Sequence, residues 1–336
     1  MKKVVALGEV LLRLSTKDFL KFAQAGEFNA DFGGSEFNVV ASAANFGMKA
    51  GFVTRLPDND IGKCALMEMN RFNVDTDNVV FGGDRMGIYF LEKGASIRGS
   101  KIIYDRKNSG FASLEKGMID WEKTFEGATW FHWSGITPGV SQGAADVCLE
   151  GLKAAREMGL TISTDFNYRA NLWNYGKSPS EIMEEMVGLC DVVLAGDYAA
   201  SQYFGIEVSG KDEGERQMSL CDQLRKRFPA LKSIAITTRG NISALHNTWS
   251  AVIDVEGMRY ASSTYDITHI VDRIGAGDSF MGALIYGLNH FDPQKAIEFA
   301  VAASTLKHTI YGDVNLVTHQ EVEALMGGDT SGRVNR

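Results

Sequence analysis

The chain has few cysteines. Cys64, Cys148, Cys190 and Cys221 lie far apart among 336 residues, with no CxxC pair and no Cys/His cluster. Zinc and a disulfide framework are both excluded on that spacing, and a reduced, cytoplasmic protein is expected. Long apolar runs are also missing. The longest, Phe280 to Leu288, is too short to span a bilayer. Nor is there an excess of positive charge. With 34 basic and 42 acidic side chains the net charge is −8, which argues against nucleic-acid or membrane-surface partners. No internal repeat and no low-complexity linker divides the chain. One domain is expected over residues 1–326, and residues 327–336, nearly devoid of apolar side chains, read as a disordered tail.

What is present is ordinary for a globular protein: 45% hydrophobic and 23% charged residues, over a length that can bury a full core. The start, Met1-Lys2-Lys3 followed by Val4–Leu7, faintly mimics a secretion signal. Glu9 and Arg13 interrupt it, so Val4–Leu7 reads as a first strand. Short apolar strands follow at Ala50–Arg55, Trp130–Trp133, Thr161–Asp165, Asp191–Leu194 and Ser233–Thr237. Helical patterns near Ser35–Phe46, Gly62–Arg71, 142–158, 179–190 and 214–228 separate them. Ser35 reads as an N-cap and Gly47 as a helix stop. This alternation predicts an α/β fold, a doubly wound and mostly parallel sheet with helices on both faces.

Two segments break the rhythm. Val10–Asn29 alternates (Leu12, Leu14 against Arg13, Ser15) with no room for a crossover helix. Gly87–Glu92 and Lys101–Tyr104 form another strand pair. Antiparallel strands inserted in this way predict a small lid sheet, discontinuous in sequence, from about 10–33 and 85–112.

The sharpest motif is Asp272-Arg273-Ile274-Gly275-Ala276-Gly277-Asp278-Ser279-Phe280, opening a helix with Phe280, Leu284 and Leu288 on one face. The glycines let backbone N–H groups point at an anion, and the helix N-terminus adds partial positive charge. Asp278 falls in the first turn, where a carboxylate beside a phosphate can deprotonate an attacking hydroxyl. The second motif is Gly33-Gly34-Ser35-Glu36-Phe37-Asn38, a double glycine before a helix, with Asn38 offering both donor and acceptor. Taken singly, the first motif reads at least as well as a glycine-rich loop with Asp278 as a mere helix-start residue, and for the second a tight turn before a capped helix is the favoured reading. Gly176-Lys177-Ser178 is not a P-loop, since residue 171 is Asn. The tryptophans and His132 read as packing, and the other histidines have no ligand spacing.

With both motifs in this order, one near each end, the sequence resembles the ribokinase-like (PfkB) family of carbohydrate kinases. Four stretches make it similar, within that family, to the branch acting on 2-keto-3-deoxygluconate: Gly87-Ile88-Tyr89-Phe90, Tyr104-Asp105-Arg106-Lys107, Ser134-Gly135-Ile136-Thr137-Pro138 and Asp165-Phe166-Asn167-Tyr168-Arg169. The resemblance implies ATP and Mg²⁺ as cofactors and phosphorylation of a sugar acid at its terminal hydroxyl. It implies Asp278 as base and the amides of Gly275, Ala276 and Gly277 as anion hole. Gly34, Asn38, Tyr89, Tyr104, Arg106, Arg169 and Asp313 would meet the substrate, and Asn167, Thr238, Arg239 and Gly240 the nucleotide. Two arginines aimed at one pocket fit a carboxylate. A dimer or higher homo-oligomer through the exposed lid edges is also expected.

Three positions depart from the family pattern. Residue 273 is Arg where Thr is frequent, and residue 243 is Ser where a second Gly is frequent. Gly196-Asp197-Tyr198-Ala199 stands where the family shows Asn-x-x-Glu, leaving Asp197 as the one carboxylate able to support a metal through water. Such a loss costs about 10–100-fold in metal affinity or activity. Two alternatives therefore stay open: a kinase for another sugar such as fructose, or a catalytically weak sugar-acid binder.

Overall fold

The computed structural model describes residues 2–333. Its frame is a ten-stranded mixed sheet. From one edge the strands run Met258–Ala261, His246–Val255, Ser233–Ser243, Val192–Ala195, Thr161–Asp165, Trp130–Ser134, Lys3–Leu7, Lys49–Val53 and Val74–Asp75, with Tyr265–Ile267 pairing beside His246–Val255. Pairing is parallel from Ser233–Ser243 through to Val74–Asp75 and antiparallel beyond.

The alternation of a strand buried on both faces sets the layers. In Lys3–Leu7, Val4 and Ala6 enter one core and Val5 and Leu7 the other. Helices Ser35–Asn45, Ala276–His290 and Pro293–Lys307 cover the first face. Helices Gln142–Glu157, Pro179–Val187 and Glu213–Arg227 cover the second. The faint leader-like start is thus a strand at the heart of the sheet, with Val4, Val5, Ala6 and Leu7 fully buried.

Several boundaries differ from expectation. Helix Asp60–Arg71 starts two residues early, because Asn59 caps it by accepting the Gly62 N–H at 3.0 Å. The run at 50–55 divides into Lys49–Val53 and a separate short strand Arg55–Leu56. The antiparallel edge after Ser233 was not anticipated at all, although Trp249, Ala251 and Ile253 alternate inward along His246–Val255. Residues 327–333 form turns and bends; 334–336, the end of the expected tail, lie outside the described residues.

A second sheet holds four strands in the order Phe28–Gly33, Leu11–Thr16, Gly87–Glu92, Lys101–Asp105. Its outer pairings are antiparallel, but the middle pair, Leu11–Thr16 with Gly87–Glu92, is parallel rather than antiparallel. The two hairpins impose antiparallel pairing only within themselves. The strands that meet between them are joined through some seventy residues of core, so no tight turn fixes their sense.

Candidate active site

A cavity of about 310 Å³ opens where the small sheet meets the ends of the parallel strands. Residues that follow three of those strands reach it: Glu9 after Lys3–Leu7, Ile136 after Trp130–Ser134, and Asn167 after Thr161–Asp165. Ligands in doubly wound folds occupy this carboxyl-end position because the loops there diverge.

On one wall, helix Ala276–His290 begins at Gly275, whose φ of 78° lies in the left-handed region. A Cβ at 275 would sit 1.9 Å from the carbonyl oxygen of Asp313, so glycine is demanded twice over. Gly277 faces open space, and the first-turn N–H groups lack helical partners. Asp278 is in that turn, half-buried, and accepts hydrogen bonds from Ser35 Oγ (2.9 Å) and Asn38 Nδ2 (2.7 Å). Burial pushes its pKa up, while those two donors and Arg169 pull it down and Asp313 raises it.

Ser35 corrects the sequence reading. The N-cap of helix Ser35–Asn45 is Gly34, and Ser35 is the first helical residue. Its hydroxyl is free of capping duty and bridges Asn167 Nδ2 (3.2 Å) to Asp278. Asn38 is likewise engaged, donating to Asp278 and accepting the Gly34 N–H at 3.4 Å. Gly33 and Gly34 are set by packing: a Cβ would come within 2.2 Å of Asp313 Oδ2 at the first and 2.1 Å of the Glu9 carbonyl at the second.

The opposite wall is supplied by the small sheet. Tyr89 donates to Asp313 Oδ2 at 2.5 Å, and its ring lies 5.9 Å from that of Tyr104. Arg106, read as a free cation, is paired with Glu9, which also accepts from Ser109 Oγ at 2.5 Å. Arg169 is exposed and, among the described residues, enters no ion pair. Asp165 lines the same cavity. Burial raises its pKa to about 7, Asp278 adding to the effect and Arg169 opposing it.

Behind the small-sheet wall lies a cluster absent from the sequence reading. Arg13, 1% exposed, bonds Asp272 at 2.5 Å and also Asp313. The Oδ1 of Asp272 accepts the Ile274 N–H at 3.1 Å, so one guanidinium ties the glycine loop to the Asp313 turn and the small sheet.

Of the expected nucleotide residues, Asn167 and Arg239 line the cavity. Thr238 does not; its hydroxyl is held by Gln217 (2.9 Å) and Glu213 (3.1 Å). Gly240 and the fully buried Ala276 are also off the wall. Asp197 is 2.6 Å from Arg216 and outside the cavity, so the weak metal candidate is already neutralised. Among the described residues no three His, Cys, Asp or Glu side chains are grouped to hold a metal, and a protein-built Mg²⁺ cage does not fit here. His132 is structural as expected: buried, bonded to Ser163 Oγ at 2.9 Å, its pKa pushed down to about 3 by burial. Among the described residues no helix is long and apolar enough to cross a membrane.

Comparison with known proteins adds the decisive observation. The pfkB family carbohydrate kinase model matches residues 1–319. The chain belongs to the pfkB family of carbohydrate kinases. As a PfkB kinase it is similar to the crystal structure of 2-dehydro-3-deoxygluconokinase from Thermotoga maritima, with 43% identity, a TM-score of 0.93, and 98% of this chain and 100% of that one covered. It is 29% identical to the 2-dehydro-3-deoxygalactonokinase of Haloferax volcanii over 98% of each chain. A putative ribokinase from E. coli, solved with ATP and Mg²⁺, is 19% identical with a TM-score of 0.79 over 98% of this chain and all of that one, a likeness of fold.

Proposed function

We propose that this PfkB kinase transfers the γ-phosphoryl group of ATP to the terminal hydroxyl of 2-keto-3-deoxygluconate, giving the 6-phosphate and ADP. The observation that carries the reading is Asp278, held by Ser35 and Asn38 in the first turn of a glycine-opened helix on the cavity wall. Asp278 takes the hydroxyl proton as the sugar oxygen bonds to the γ-phosphorus. The bond from that phosphorus to the β-bridging oxygen breaks, and the amides of Gly275 and Gly277, both on the cavity wall, receive the migrating charge. Ser35 and Asn38 keep the carboxylate aimed. Mg²⁺ would arrive on the nucleotide phosphates rather than in a cage of side chains. The small sheet acts as the lid that excludes water.

The cavity's cations support an acid over a neutral sugar. Arg106 is spent on Glu9, so Arg169 is the arm available to a substrate carboxylate, beside Tyr89 and Tyr104. Arg169→Ala is expected to raise KM for the sugar acid about 10–100-fold, the worth of a charged hydrogen bond, and to leave residual activity on neutral hexoses unchanged. Steady-state kinetics on both classes checks this; an equal loss on fructose removes the clamp. A coupled ADP-release screen over 2-keto-3-deoxygluconate, its galacto epimer and fructose tests the substrate itself, and ligand-stabilised melting without ADP release would favour a binder.

The outer face of the lid sheet presents Leu12, Leu14, Phe28, Phe90 and Ile103, with Phe28 38% and Ile103 53% exposed. Such a face is expected to be covered by a second copy of the chain. Light scattering should give a dimer or larger; a monomer would remove this part of the reading. All four cysteines are free, three of them buried, and ATP is the phosphoryl donor, which together support a cytoplasmic setting.

A further inference from the structure

Four arginines line the cavity, and they differ in what surrounds them. Arg106 has Glu9, and Arg169 feels the charge of Asp165 and Asp278. Arg239 and Arg273 lie beside the Gly275 and Gly277 end, and among the described residues neither enters an ion pair. Arg273 is anchored by one nitrogen alone: Nη2 donates to the carbonyls of Ser243 (3.1 Å) and Ala244 (2.9 Å) and to Asn247 Oδ1 (3.2 Å). Its Nε is buried with no acceptor. Arg239 stacks over Trp249 at 4.9 Å. Arg273 is half-buried and Arg239 exposed, and each opposes the charge of the other. Two unpaired guanidiniums side by side at a cavity wall form a local positive field that attracts an anion. The neighbouring carboxylates are committed: Glu9 to Arg106, Glu36 to Ser134 and Thr137, Asp313 to Arg13 and Tyr89.

We propose that Arg273, with Arg239 beside it, is a nucleotide-phosphate clamp that supplies the cationic charge which protein-held metal would otherwise bring to the glycine loop. With Nη2 committed and Nε buried, Nη1 is the charged donor that Arg273 offers a phosphate oxygen, which a threonine at 273 could not supply. The clamp rests on the kinase reading and adds to it a binding mode for the nucleotide that does not depend on a divalent cation.

The test is ADP binding to the full chain by calorimetry, in Mg²⁺ and in EDTA. Wild-type protein is expected to bind ADP in both. Arg273→Met should weaken ADP about 10–100-fold in EDTA, the worth of a lost charged hydrogen bond, and less in Mg²⁺. Arg273→Lys should recover part of the loss. Arg239→Met, which touches no hairpin carbonyl, should act in the same direction. Protection by 2-keto-3-deoxygluconate should be unchanged in all three, while unliganded melting falls for Arg273→Met by the loss of its hairpin bonds, equally in Mg²⁺ and in EDTA. The clamp is overturned if Arg273→Met binds ADP in EDTA as wild type does. It is equally overturned if the loss is the same size with and without Mg²⁺, which would make Arg273 a hairpin anchor only, or if wild type binds ADP in Mg²⁺ alone. Failure of the kinase reading looks different: wild type binds ADP with the stated Arg273 dependence but releases none from ATP with any sugar or sugar acid.

Discussion

Asp278→Asn is expected to lower turnover by about 10²–10⁴-fold, the usual contribution of a positioned general base, while both ligands still bind. The change is isosteric. The new amide oxygen can still accept from Asn38, and the Ser35 hydroxyl can turn to accept from the new amide, so the fold has no reason to give way. Removing a carboxylate whose pKa burial raises should leave unliganded stability equal or higher. Coupled ADP release with both substrates saturating measures the loss; turnover within tenfold of wild type would remove Asp278 as the base. A pH profile gives an independent reading. The working form is the ionised carboxylate, and burial favours the protonated one. The acid limb of wild-type kcat should therefore lie above the ordinary carboxylate range, with the rate rising as pH increases through it. Asp165, titrating near 7 in the same cavity, adds charge as the pH approaches neutrality.

The glycine-opened helix start that carries Asp278 was legible in the sequence because its parts are contiguous. Two glycines, a first-turn carboxylate and an apolar helix face fall within a few residues, and each has a local physical reason. The parallel core was legible for a similar reason, since Val4–Leu7 must be buried on both faces. What escaped depends on residues far apart in the chain. Glu9 neutralises Arg106 across 97 positions, and no local pattern distinguishes that arginine from a free one. Ser35 looks like a cap because serine before a helix usually is one; only the tertiary position of Asp278 gives its hydroxyl another partner. The strand Leu11–Thr16 of the small sheet is the most instructive case. Hydropathy would turn Leu12 and Leu14 inward, yet Arg13 and Ser15 are the buried residues, at 1% and 2% exposure. The face that carries Arg13 meets Asp272 and Asp313 and so holds a buried polar cluster beside Leu11, while Leu12 and Leu14 are half-buried on the other side.

That inversion makes Arg13→Met the most destabilising single change expected here, at about 3–5 kcal/mol, the cost of breaking a buried ion pair by removing one partner. Burial alone would lower the pKa of Arg13; Asp313 and Asp272 outweigh it and hold it above the ordinary arginine value. Methionine fills much of the volume but leaves two buried carboxylates facing each other, with the Lys307 Nζ directed at the Asp272 carbonyl (3.5 Å) rather than at either carboxylate. In the variant Asp313, whose pKa burial already raises, loses the Arg13 charge that pulls it down, and so moves further above the unfolded value. Stability is then lost as pH increases from the unfolded value through the raised one, so the penalty should be large at neutral pH and shrink toward pH about 4. Urea unfolding at both pH values measures it. A variant within 1 kcal/mol of wild type at neutral pH, by the precision usual for such titrations, or a penalty that does not diminish in acid, would contradict the ion cluster. The triple variant Arg13→Met, Asp272→Asn, Asp313→Asn removes the orphaned charges and should recover most of the stability. It should not recover turnover, because Asp272 no longer braces the glycine loop as a carboxylate and Asp313 no longer accepts from Tyr89 as one. That split between restored folding and absent catalysis would show that Arg13 joins the lid to the phosphate loop as well as filling the space between them.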